Sequence, residues 1–264
     1  MNLIKSNRPR PELLSPTKFL SFLFAILPAL CHADEVSSLG GDLTALLEID
    51  RDVAQPGEKL PLLEAPYAKI LAKVDRQSLG LLSNADAERF YAASHTLSFY
   101  ANDPHHANQL RRAMDELQER GINTDQNRKD MLGHYFATRM IEEAIEFAAN
   151  PANADLGEVP TFDRHRQSVA PHRVLWRVSD DGRTISDWEF SAPGDAYVLV
   201  VGSPWCSFSR SAGEAISGDA ALSTLMSEHS VWIVPQFVMP NFSDIAKWNV
   251  EHPSLRMSIV YRRS

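Results

Sequence analysis

The sequence predicts an α+β protein: an all-helical N-terminal domain followed by an α/β C-terminal domain. Three observations carry this. From Leu43 to Asn150 apolar residues recur at helical spacing. Over 151–171 three prolines and no sustained period interrupt the pattern. Beyond residue 171 the apolar spacing falls to two, and strands then alternate with helices. The chain has 264 residues, 44% hydrophobic and 23% charged, with two cysteines. That composition excludes wholesale disorder, a collagen repeat and a disulfide-stapled scaffold. No run reaches the roughly 18–20 apolar residues that cross a bilayer. A net charge of −8 argues against nucleic-acid binding, which needs a clustered excess of Lys and Arg.

Residues 1–33 read as a secretory signal peptide. Lys5, Arg8, Arg10 and Lys18 form a basic leader, Phe19 to Leu30 an apolar stretch, and Cys31-His32-Ala33 a cleavage region before Asp34 and Glu35. Cleavage after Ala33 is expected, giving a periplasmic or secreted protein. Two alternatives are a retained N-terminal helix and a lipid anchor on Cys31. Against the anchor, Pro28 stands where such signals carry Leu. The mature chain would hold 22 basic and 33 acidic residues, a net charge of −11, and one cysteine, Cys206. A lone thiol is unusual in an oxidising compartment, where cysteines work in pairs.

The helical domain, 34–150, divides at its caps. Leu43, Leu46 and Leu47 begin a short helix. Leu62–Val74 gives a second, interrupted by Pro66. Ser83 caps a third, with Phe90, Leu97, Phe99 and Tyr100 as an aromatic stripe. Asp103-Pro104 opens a fourth carrying Leu110, Met114 and Leu117, and Gly121 stops it. Thr124 caps a fifth that runs through Met131, Tyr135, Met140, Ile145 and Phe147 to Pro151. Residues 151–171 are expected to be a linker.

The C-terminal domain, 172–264, opens with a hairpin. Val174, Trp176 and Val178 alternate with polar neighbours, Asp181-Gly182 turns, and Ile185, Trp188 and Phe190 return. Tyr197–Val201 is a continuous apolar run, the pattern of a strand buried on both faces. Gly202-Ser203-Pro204 breaks it, and a helix starts near Cys206. Val231–Val238 is the next buried strand, Phe242–Val250 a helix and Leu255–Tyr261 a last strand.

The stretch from Val198 to Ser209, with Trp205-Cys206-Ser207-Phe208-Ser209 after a buried strand, resembles the active-site turn of the thioredoxin superfamily. The resemblance spans Arg173 to Tyr261. It implies a nucleophilic Cys206 at a helix N-terminus, where backbone N–H groups and the helix dipole favour thiolate. Trp205 and Ser209 would shape the site, and Pro253 is the candidate for the family's cis-proline, holding a bound peptide. Ser209 replaces the second, resolving cysteine. A Cys-x-x-Ser site forms a mixed disulfide but needs an external thiol to release it. Nothing follows Ser264, so the family's last strand and helix are missing, through either a variant order or truncation, which would leave an open sheet edge.

Two functions follow from this reading. The first is an exported thioredoxin-like protein engaging partner thiols or disulfides through Cys206; as an enzyme it would be a monothiol thiol–disulfide oxidoreductase without cofactor or metal. The alternative is a non-catalytic interaction module on a degenerate scaffold. Other readings of Cys206 are weaker. Ser203 fits a peroxiredoxin motif, but Leu199 stands where that motif needs Pro. A cysteine protease needs a histidine beside the thiol, and spacing places neither His229 nor His252 there. Plain packing is the bland reading of Cys206, and a helix-surface serine that of Ser209. Asp103, His95, His105, His106 and His134, like Asp163, His165 and His172, lack a metal-ligand pattern and read as solvated. Arg111-Arg112 and Arg262-Arg263 read likewise. Asn241-Phe-Ser243 fits a glycosylation sequon.

Overall fold

The computed structural model describes residues 39–53, 55–156, 159–163, 174–190, 197–235 and 241–260. The leader, Arg262-Arg263, His165 and His172 lie outside them. A first helix, α1, covers 39–52. Then come α2 (Pro56–Gln77), α3 (Asn84–Ala101), α4 (Pro104–Glu119), α5 (Asp125–Ala137) and α6 (Ile141–Ala149). The caps are those the sequence predicts. Ser83 accepts from the Asp86 amide, Asp103 from the His106 amide and Thr124 from the Asn127 amide. Gly121 ends α4 at φ +69°, a left-handed value that glycine adopts without a Cβ penalty.

Two helical expectations fail. Pro66 does not interrupt α2, which runs through both Pro61 and Pro66. The fifth helix is two helices, because Arg139 adopts φ +64° and the chain restarts at Ile141. The Arg139 side chain explains the break. It leaves the helix face, donates to the Phe136 carbonyl at 2.5 Å, and reaches the carbonyl of Val260 in the sheet at 2.9 Å.

The second half is a six-stranded sheet of order β1-β3-β2-β6-β5-β4. Its strands are β1 (Thr161–Asp163), β2 (Val174–Val178), β3 (Thr184–Glu189), β4 (Val198–Val201), β5 (Ser230–Val234) and β6 (Met257–Val260). β2 and β3 form the predicted hairpin, with Gly182 at φ +75° in its turn. β2 runs antiparallel to β6, whereas β6, β5 and β4 are mutually parallel. α7 (Ser207–Ser217) and α8 (Ala220–His229) connect β4 to β5, and α9 (Phe242–Glu251) connects β5 to β6. α8 lay outside the sequence expectations; no residue of it is fully buried.

The linker is a structural part of the fold. Residues Pro151–Leu156 make a 3-10 turn, with Asn153 buried and donating to the Phe147 carbonyl at 2.8 Å. β1 then adds to the sheet edge, parallel to β3. Phe162 of β1 stacks against Phe136 of α5 and packs edge-on against Trp176 of β2. Phe136 also meets Phe242 of α9. One continuous buried cluster therefore includes residues of both halves, from Leu39 to Ile259.

β4 is the main departure in the sheet. Its apolar run suggests burial on both faces, yet among the described residues it is the outermost strand, and Val198, Leu199 and Val201 are exposed. Among the described residues no helix is long and apolar enough to cross a membrane.

Candidate functional site

The site grows from the end of β4. Gly202 leaves the strand with its amide bonded to the Ile233 carbonyl at 2.9 Å. It is pressed closely: a Cβ there would lie 3.0 Å from Ser209 Oγ and 3.4 Å from both Met257 and the Trp232 ring. Only glycine lets the chain pass this point without displacing its neighbours. Pro204-Trp205 then forms a turn that the Cys206 amide closes onto the Ser203 carbonyl at 3.0 Å. Cys206 holds the N-cap position of α7, with extended backbone angles, and is half-buried and unbridged.

The cap position governs the thiol. Its side chain closes no regular capping hydrogen bond. The Ser209 amide acts most strongly on the sulfur, followed by the Ser209 hydroxyl, the Phe208 amide and the Arg210 charge. Together they push the thiol below its ordinary pKa, because unpaired N–H groups at a helix start favour the anion.

The surroundings are fixed by short polar contacts. Trp205 donates from its indole nitrogen to Asp244 of α9 at 2.6 Å. Arg210 donates to the Trp205 carbonyl at 2.9 Å and to the Pro204 carbonyl at 3.3 Å. Trp205 and Arg210 line a groove of about 230 Å³ between α7 and α9, together with Glu214, Asp244, Lys247 and Trp248. Ser209 is not a surface serine. It is buried, and its hydroxyl accepts from the Ser203 amide at 3.2 Å, tying the start of α7 to the loop before it.

Of the four sequence-predicted residues, Trp205, Cys206 and Ser209 come together and Pro253 does not. The described peptide bonds include no cis bond, so Pro253 is trans. It opens a 3-10 turn, Pro253–Leu255, that leads into β6. Pro253 lies with Glu228 and Ser230 beside the start of β5, whereas Cys206 follows the end of β4, which runs parallel to β5 and is level with that strand's far end. The family's cis-proline role is therefore not available to Pro253.

The histidines divide differently from expectation. His252 packs on Trp248 at 4.3 Å and bonds Ser217 at 3.1 Å, at the C-terminal end of α7. Eleven helical residues separate that end from Cys206, roughly 16 Å at 1.5 Å per residue. His134 is buried rather than solvated, with Nδ1 against the Ser98 hydroxyl at 2.9 Å, and desolvation pushes its pKa down to about 3. Among the described residues no group of three or more His, Cys, Asp or Glu could hold a metal. Asn241 caps α9, accepting from the Asp244 amide at 3.1 Å.

Sequence reasoning missed Arg210 and Asp244, which act on the site through a helical turn and across two helices. Arg210 carried a signal, since it lies one turn from Cys206. Asp244 carried none. No family model, curated protein or solved structure matches this chain.

Proposed function

We propose that the protein is an exported, thioredoxin-like protein of monothiol type that exchanges disulfides with partner proteins through Cys206. The observation carrying this is the thiol at the α7 N-cap, its pKa lowered by the Ser209 and Phe208 amides, the Ser209 hydroxyl and Arg210. Thiolate is the attacking species in exchange, so a lowered pKa raises its fraction at neutral pH. Ser209 offers no second sulfur. The mixed disulfide on Cys206 then waits for an external small thiol. The leader of residues 1–33 supports export, and the exposed Trp205 and Phe208 give a partner apolar surface beside the thiol.

A second reading, a non-catalytic interaction module, is favoured by the position of Pro253, which leaves the site without the peptide clamp that the resemblance implies. The rate of Cys206 alkylation against pH, on the chain beginning at Asp34, separates the two. Exchange requires a midpoint below the ~8.5 of a free thiol. A thiol that reacts only after unfolding sinks the exchange reading and leaves the module.

A further inference from the structure

The sheet ends on a strand with an interior strand's sequence. β4 is outermost, and no described residue pairs with its free edge. Natural edges are blunted by charge, proline or a bulge; Val198–Val201 contains no charge and no proline. The ladder also fixes which groups face outward. Gly202 donates to Ile233 of β5, so by the two-residue alternation of a parallel pair Val200 also turns its peptide groups toward β5. Leu199 and Val201 turn theirs to the open edge. These same residues leave 54% and 63% of their surface exposed. Past the strand the apolar track continues through Trp205 to Phe208, 85% exposed, on either side of Cys206.

We infer that β4 is a docking strand for an extended segment of the partner polypeptide, which adds to the sheet and presents its disulfide to Cys206. The inference rests on the exchange reading of that thiol. Two features select this occupant. A row of outward N–H and C=O groups is matched by another strand, not by a helix or a small molecule. Charge selects between strands: two copies meeting edge to edge bring together chains that each carry −8, or −11 without the leader, whereas an uncharged segment meets no such repulsion. In the exchange, the Cys206 thiolate attacks one sulfur of the partner's disulfide. The Cys206–partner bond forms and the partner's other sulfur leaves as thiolate, so no outside oxidant or reductant enters.

The test uses the chain beginning at Asp34 and a synthetic peptide of alternating Thr and Val, with a cysteine at either end blocked as its pyridyl disulfide. Release of pyridinethione is compared with that from a Gly/Ser peptide of equal length and from dipyridyl disulfide. The alternating peptide is expected to react at least about tenfold faster than the Gly/Ser one. Leu199→Lys with Val201→Lys should remove that advantage and leave the dipyridyl disulfide rate unchanged. A peptide with serine in place of the cysteine, followed by backbone amide shifts, reports docking without any thiol and without a variant. It is expected to move the Leu199 and Val201 amides. Equal peptide rates, unmoved amides, or a dimer that the lysine variant dissociates would each overturn the docking strand. Amide shifts beside a thiol inert to dipyridyl disulfide would support the docking strand while overturning the exchange reading.

Discussion

Arg139 donates from Nε to the carbonyl of Val260 at 2.9 Å, joining the helical half to an interior strand across 121 positions of sequence. A second guanidinium nitrogen reaches the same carbonyl, and the group lies 4.9 Å from the centroid of the Trp176 ring. Desolvation pulls its pKa down to about 10, which leaves it charged at neutral pH. A partly buried cation held by the Val260 carbonyl is costly to remove, because that carbonyl loses its guanidinium donors.

Arg139→Met should therefore lower unfolding free energy by about 2–4 kcal/mol. All five tryptophans lie between positions 176 and 248, in the second half, while most of the helix lies in the first. Urea unfolding followed by tryptophan fluorescence and by far-ultraviolet circular dichroism should coincide in the wild type, since both halves share one core. The two transitions should separate in Arg139→Met. Coincident curves at unchanged midpoint would show that the contact does not couple the halves.

Ser209→Ala should raise the pKa of Cys206 and slow its alkylation at neutral pH, because the hydroxyl is one of the groups favouring thiolate. The Ser209 amide remains, so the rise should be partial. Pro253→Ala, beside the start of β5, should leave the alkylation profile unchanged. A profile moved equally by both substitutions would point to a general loosening of the fold.

Ser209→Cys should turn the site into a dithiol. The Ser209 hydroxyl already acts on the Cys206 sulfur, so a thiol in its place is positioned to attack a mixed disulfide and release the partner. Mass spectrometry after alkylation should show fewer trapped complexes than in the wild type. Undiminished trapping would mean that the second sulfur does not reach the first.

Gly213→Ala should destabilise by about 1–3 kcal/mol through overpacking. A Cβ there would lie 2.7 Å from the Trp248 ring, which cannot easily retreat because its indole nitrogen donates to the Leu255 carbonyl at 2.8 Å. The neighbouring Asn249 bonds the Met257 backbone in both directions. Thermal unfolding checks this directly, and an unchanged midpoint would contradict the packing.

Stability should fall as the solution is acidified below about pH 6.5, the ordinary titration range of histidine. Folded His134 titrates near 3 because of burial. Between those values the unfolded chain takes up a proton that the folded chain refuses, so acid favours unfolding. The slope should approach about 1.4 kcal/mol per pH unit. His134→Gln should flatten it between roughly pH 6.5 and 4.5, above the range where carboxylates titrate.

These residues also mark what the sequence could convey. Ser83, Asp103 and Thr124 are legible as caps because each acts on an amide three positions away. The Asp181-Gly182 hairpin is legible for the same local reason. The break at Arg139 is not, since its cause, the Val260 carbonyl, lies in another element. β1 hid in the linker because three residues with one apolar side chain carry no period. The run Val198–Val201 records a preference for burial but not which strands stand beside it. Cys206 was visible from its place between a strand and a helix. The burial of Ser209 was not, because it depends on Gly202 passing so close.

The position of β6 bears on how the molecule is made. It is the bridge between the group β1-β3-β2 and the parallel pair β4–β5, yet it is the last of the six along the chain. During synthesis the earlier strands emerge as two separate pieces, and neither can be joined until residues 257–260 have cleared the ribosome. Until then Trp176 and Trp232 lack the neighbours that later cover them. A nascent chain of this design is expected to close its sheet only after its last strand emerges, because the joining contacts are long-range.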